Sequence, residues 1–122
     1  MTSTAEMLES LTYTLESAVL RFSNEAELHE GIAEVLVSKQ IPFEREVIIT
    51  SHDRLDFLVG DIAIEVKVDG SAAEVLRQLH RYAQHERIGA LILVTSRSRH
   101  QMLTKVLNGK PLECVYLIRS ML

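Results

Sequence analysis

Asp56, Glu65 and Lys67 lie in the stretch RLDFLVGDIAIEVKV, residues 54–68, and their types and spacing suit metal-assisted hydrolysis. Side chains alternate along a strand. In residues 61–68, Asp61, Ala63, Glu65 and Lys67 therefore share one face, and Ile62, Ile64, Val66 and Val68 the other. A two-residue hairpin with Gly60-Asp61 at its tip pairs 59 with 62 and, continuing, 56 with 65 and 54 with 67. Opposite residues have Cβ atoms about 5 Å apart, and like charges placed so destabilise a sheet. A divalent cation between Asp56 and Glu65 reverses that sign, because Mg²⁺ prefers oxygen ligands and needs only a few from protein. Two carboxylates can then hold a metal against a phosphodiester oxygen. The Lys67 ammonium, two residues on, can orient a water or stabilise developing negative charge.

The elements that must position these groups can be read along the chain. Leu8, Leu11, Leu15, Ala18, Val19 and Phe22 recur at helical spacing and predict a helix over 5–22. Asn24 and Glu27 form a capping box opening a second helix, with Leu28, Ile32, Val35 and Leu36 on its buried face and Pro42 beyond its end. Strands are expected near 43–50, 54–59 and 61–68. Ser71 and Glu74 make another capping box, opening a helix over 71–86. ALILVTS, 90–96, reads as a central strand covered on both faces. A short helix over 98–107 and a strand near 113–118 follow. The expectation is one α/β domain spanning 1–122, with an N-terminal helix at 5–22 and a core at 24–118.

Composition sets further bounds. The chain has 122 residues, a length that suits one domain with a real core. It carries a formal net charge of −4. That charge is unevenly spread: residues 1–69 hold 14 Asp/Glu against 5 Lys/Arg, a balance of −9, and residues 70–122 hold 3 against 8, a balance of +5. Such an asymmetry allows a basic face on an acidic protein. The N-terminus lacks the pattern of a secretory signal, no apolar run is long enough to span a bilayer, and Cys114 alone cannot staple the fold. A cytoplasmic, membrane-free protein is expected.

Asp56 followed by Glu65-Val66-Lys67 resembles the D…(D/E)-x-K signature of the PD-(D/E)XK nuclease superfamily. The order expected over residues 24–95, α-β-β-β-α-β, is similar to that family's restriction-endonuclease-like core, a mixed central sheet flanked by helices, here with an extra N-terminal helix. Leu55 stands where the family's name places Pro. Gln78 and Tyr82 resemble the Q-x-x-x-Y element of exonuclease branches. The resemblance implies a metal-dependent DNA nuclease using Mg²⁺ or Mn²⁺. It makes Asp56, Glu65, Lys67 and Gln78 the catalytic set. Asp56, Glu65 and the Val66 backbone carbonyl would be metal ligands, joined by a Glu from the helix opened by Asn24. Of Glu25, Glu27, Glu30 and Glu34, Glu25 shares the face of Leu28 and Ile32 and is chosen. Arg77 and Arg81, with His80 near, and Arg97 and Arg99, with His100, are the candidate phosphate contacts. The small size favours recognition of DNA structure or ends. The stripe of 5–22 suggests a homodimer, as a junction-resolving endonuclease would use. The alternative is a non-catalytic nucleic-acid-binding or regulatory subunit that keeps the fold.

Overall fold

A computed structural model describes residues 2–102 and 104–118. The elements are α1 (Thr4–Ser17), α2 (Glu25–Ser38), β1 (Glu44–Ile48), β2 (Arg54–Val59), β3 (Ile62–Lys67), α3 (Ala72–Ala83), β4 (Ala90–Thr95), a 3-10 turn (Ser98–Met102), β5 (Val106–Leu107) and β6 (Lys110–Tyr116). The strands form one open mixed sheet in the order β1-β2-β3-β4-β6-β5. The β1–β2, β2–β3 and β5–β6 pairs are antiparallel, while β3, β4 and β6 run parallel. The element order from α2 to β4 is the one expected from the sequence.

Each face of the sheet buries its own cluster. Leu8, Leu11 and Leu15 of α1 and Leu28, Ile32 and Leu36 of α2 pack with Phe57, Val59, Ile62, Ile64, Ile92, Val94 and Val115. On the other face, Val75, Leu79, Tyr82 and Ala83 of α3 pack with Leu58, Ala63, Leu91 and Leu93. All six residues of β4 are buried, as its continuous apolar run implies. The capping residues act as expected at two helix starts. Asn24 Oδ1 accepts from the Glu27 N–H, and Ser71 Oγ from the Glu74 N–H.

Three expectations need correction. The first helix ends at Ser17 rather than at residue 22, since Ala18 is extended (φ −74, ψ 141). Phe22 still reaches the core, but Val19 is left 86 % exposed. The leucine stripe is spent inside the protomer, with Leu15 fully buried, so it is not available as the expected dimer face. The helix expected at 98–107 is only a 3-10 turn over Ser98–Met102, and 106–107 is a strand. The cause is Asn108-Gly109, both at positive φ (50 and 75), which form the two-residue turn between β5 and β6. That turn starts β6 at Lys110, three residues before the expected strand. Among the described residues no helix is long and apolar enough to cross a membrane.

At the end of the sheet where β3 and β4 begin, three chain segments converge on Asp61. Its side chain accepts from Thr4 Oγ1 (2.7 Å) at the start of α1, and its carbonyl accepts from the Gly89 N–H (2.7 Å). A Cβ on Gly89 would run into the Asp61 carboxylate, so a larger residue there would displace the side chain that holds Thr4. The opposite end, where β3 and β4 finish, carries the candidate site.

Candidate functional site

The β2–β3 hairpin has the expected register over Val59↔Ile62, Leu58↔Ala63 and Phe57↔Ile64. The ladder then stops, one pair short of Asp56 and Glu65. On the other side of β2, Arg45↔Phe57 and Val47↔Leu55 are paired and the intervening Glu46–Asp56 pair is missing. Asp56 is thus the one residue of β2 with no register partner on either side. Its carboxylate instead accepts a hydrogen bond from the Val66 backbone N–H at 2.8 Å. The expectation of two carboxylates squarely opposed on one face is therefore replaced by a splayed arrangement. In it Asp56 reaches across the end of the ladder towards β3. A strand residue directs its N–H and C=O to the same side, so the Val66 carbonyl also faces β2.

Glu65 lies under α3 and is 3 % exposed, with its carboxyl within hydrogen-bond reach of Asp56. Burial first, and then the Asp56 charge, raise its carboxyl to about 9, with the Lys67 ammonium offsetting only part of the rise. Lys67 Nζ lies 3.6 Å from Glu65 Oε2, so the two share a strand face as expected. Tyr82 holds the same carboxylate oxygen at 3.4 Å, while its hydroxyl also reaches the Arg54 carbonyl at 3.1 Å. One hydroxyl proton serves only one of these acceptors. Gln78 Nε2 donates to Tyr82 Oη at 2.7 Å, so Gln78 acts on the site through Tyr82. Burial, then the Glu65 charge, hold the Tyr82 hydroxyl above its ordinary range. Glu65 Oε1 is buried and has no hydrogen-bond partner. Held protonated, this carboxyl can hydrogen-bond the Asp56 carboxylate; ionised, it faces a second carboxylate, and a cation fits as the neighbour that relieves both.

The helix glutamates separate clearly. Glu30 is bonded to Arg45 at 2.9 Å, which lowers its carboxyl below the usual range. Glu27 accepts from the Ser23 N–H at 2.6 Å, reaching one residue behind the cap. Glu34 is exposed. Glu25 is the one that turns towards the site, and it does so through His29. The Nε2 of His29 lies 3.9 Å from Glu25 Oε2 and 3.6 Å from Asp56 Oδ2, and it lacks a hydrogen-bond partner. Sequence reasoning missed His29, although its i+4 spacing from Glu25 and adjacency to Leu28 place it on the inner face of α2. The resemblance paired Tyr82 with Gln78 but gave the tyrosine no role of its own. Among the described residues no three His, Cys, Asp or Glu side chains converge as a ready metal-binding group. Asp56 and Glu65 remain a pair.

The arginines divide into two kinds. Arg81 donates through Nε to Asp53 Oδ1 at 3.0 Å and ties α3 to the β1–β2 turn. Arg97 donates to the Val68 carbonyl at 2.9 Å and lies 3.5 Å from Asp69, tying β4's exit to the loop after β3. Arg77 and Arg99 are exposed and form no ion pair among the described residues. His100 is fully buried, with one ring nitrogen 2.6 Å from Thr95 Oγ1 and the other 2.9 Å from the Gly70 carbonyl; its role is to fix the loop. Two large surface grooves, about 700 and 820 Å³, lie at the start of α2 and beside α1, and neither is lined by Asp56, Glu65 or Lys67. Comparison with protein-family models, with curated proteins and with solved structures gives no match for this chain.

Proposed function

We infer that this chain is a metal-dependent DNA nuclease of the PD-(D/E)XK type, with a restriction-endonuclease-like core and a preference for DNA structure over base sequence. The observation that carries the reading is the buried Glu65 carboxylate, one oxygen unpartnered, set beside Asp56 and Lys67 where β2 and β3 separate. A fold gains nothing from that arrangement alone, because burial and a like charge both oppose ionisation. A divalent cation relieves both costs.

Asp56, Glu65 and the Val66 carbonyl would hold Mg²⁺ or Mn²⁺, with Glu25 at its margin through His29. Bound there, the cation would polarise a phosphodiester oxygen and lower the pKa of water. The chain's own groups do the rest. Lys67, held by Glu65, presents an ammonium that orients water or stabilises charge developing on the phosphate. Tyr82, fixed by Gln78, keeps Glu65 oriented. Arg77 and Arg99 offer exposed cations to phosphates, which would position DNA without reading its sequence. Cleavage of labelled linear, flapped and four-way DNAs with Mg²⁺ or Mn²⁺ tests the reading. Metal-dependent cutting lost in Asp56→Asn supports it, and absence of cutting on every substrate rejects it. A second reading, a nucleic-acid-binding or regulatory subunit without catalysis, is favoured by one observation: two of the four candidate DNA-contact arginines are already engaged within the fold. It predicts DNA binding without cutting.

A further inference from the structure

We propose that Glu46 is a positioning residue whose left-handed backbone aims Asp56. Glu46 has φ of +52, a region that costs an ordinary L-residue free energy and is held only where its surroundings enforce it. It occupies the β1 position across from Asp56, at the gap between the Arg45↔Phe57 and Val47↔Leu55 pairs.

Both strands change faces at this gap. On β1, Arg45 stacks over the Phe57 ring (5.3 Å) on the α2 side, and Phe43 packs on that side too. Val47 and Ile49 pack instead on the α3 side. On β2, Phe57 and Val59 belong to the α2 side, and Leu55 belongs to the α3 side. Residues two apart in a regular strand share a face. Here 45 and 47 do not, and neither do 55 and 57. One residue in the left-handed region supplies the needed rotation on β1, and β2 follows it through the pairing on either side.

The consequence falls on Asp56. In an unbroken ladder its side chain would stand perpendicular to the sheet. Released from both neighbours, it lies along the edge of the ladder and takes the Val66 N–H, between Glu65 on one face and His29 on the other. The strain at Glu46 is thus linked to the aim of a carboxylate one strand away. The link is through backbone conformation, so residue types that accept positive φ should preserve it and β-branched types should not.

The activity arm of the test rests on the nuclease reading; the structural arm does not. The structural readout is the Val66 amide resonance in metal-free ¹⁵N–¹H spectra, with Asp56→Asn defining its position when the carboxylate contact is lost. Glu46→Gly and Glu46→Asn keep this resonance at the wild-type position, and Glu46→Gly raises the urea midpoint. Glu46→Val moves it towards the Asp56→Asn position. In Mn²⁺-dependent cleavage, Glu46→Gly stays within about threefold of wild type, and Glu46→Val loses about 100-fold, the scale of an ångström-sized misplacement. Glu46→Val with a wild-type Val66 resonance overturns the proposal. If Glu46→Val does not fold, Glu46→Gly decides: a displaced Val66 resonance there overturns the proposal, and an unchanged one with a higher midpoint upholds it. If the wild type cuts none of the DNAs, the nuclease reading fails while the resonance still judges Glu46.

Discussion

Replacing Glu65 by Gln should stabilise the metal-free protein, and by more at pH 8 than at pH 5. The folded chain raises this carboxyl from 4.5 to about 9, first by burial and then by the charge of Asp56. Between those two values the folded state keeps a proton that the unfolded state has released. The folded state then binds more protons, so stability falls as pH rises through this window. The slope is about 1.4 kcal/mol per pH unit, which sets a ceiling of about 5 kcal/mol at pH 8 and below about 1 kcal/mol at pH 5. Side-chain relaxation and water entry around a buried carboxylate reduce such penalties, so about 2 kcal/mol is the expected gain at pH 8. Gln has nearly the shape of protonated Glu and can donate its amide to Asp56. Urea unfolding in a chelator, wild type against Glu65→Gln in the same buffers, measures the difference. An m-value of about 1–1.5 kcal/mol/M makes the pH 8 gain a midpoint shift of roughly 1.5 M. A gain that is equal at both pH values, or a variant less stable than wild type at pH 8, refutes the reasoning.

Asp56→Asn should abolish metal-dependent cleavage while leaving the far-UV spectrum and cooperative unfolding intact. Lys67→Ala should lose most activity and keep Mn²⁺ binding by calorimetry; loss of binding as well would make Lys67 a structural partner of Glu65. Replacing Arg77 and Arg99 together by Ala should make the log–log salt slope of duplex binding shallower by about two, if each neutralises one phosphate. The Arg81 and Arg97 pair should instead lower thermal stability, because those side chains tie loops together; an unchanged melting temperature refutes that. Leu11→Ala, at a site 1 % exposed, should cost about 3 kcal/mol in urea unfolding. A chain starting near Ser23 should likewise fail to fold cooperatively, since α1 completes the core.

The parts of the fold that were legible rest on local rules. The two caps, the Gly60-Asp61 register and the buried run of β4 each follow from a few adjacent residues. Asn108-Gly109 was an equally local hairpin signal, and weighting helical spacing over it produced a helix where β5 and the turn lie. The end of α1 was not legible, because Ala18, Val19 and Phe22 continue the apolar spacing past the point where the chain extends. At the site, Asp56, Glu65 and Lys67 follow from the signature and the strand period. His29 joins them through helix packing that no strand-period argument includes. The splay at Asp56 depends on Glu46, whose residue type carries no hint of a left-handed backbone.

The contact of Asp61 with Thr4 and Gly89 bears on how the molecule would break. One residue at a hairpin tip holds the first turn of α1 through its side chain and the entrance of β4 through its backbone carbonyl. Gly89→Ala would press on the Asp61 carboxylate and so on its hydrogen bond to Thr4 at the first turn of α1. Its release would uncover Leu8, Leu11 and Leu15 together, a greasy strip open to neighbouring molecules. The carboxylates sit at the other end of the sheet and would feel this last. Harmful changes should therefore sort by location: those near Asp61 would cost soluble protein in the cell, and those near Asp56 would yield well-behaved protein that does no chemistry.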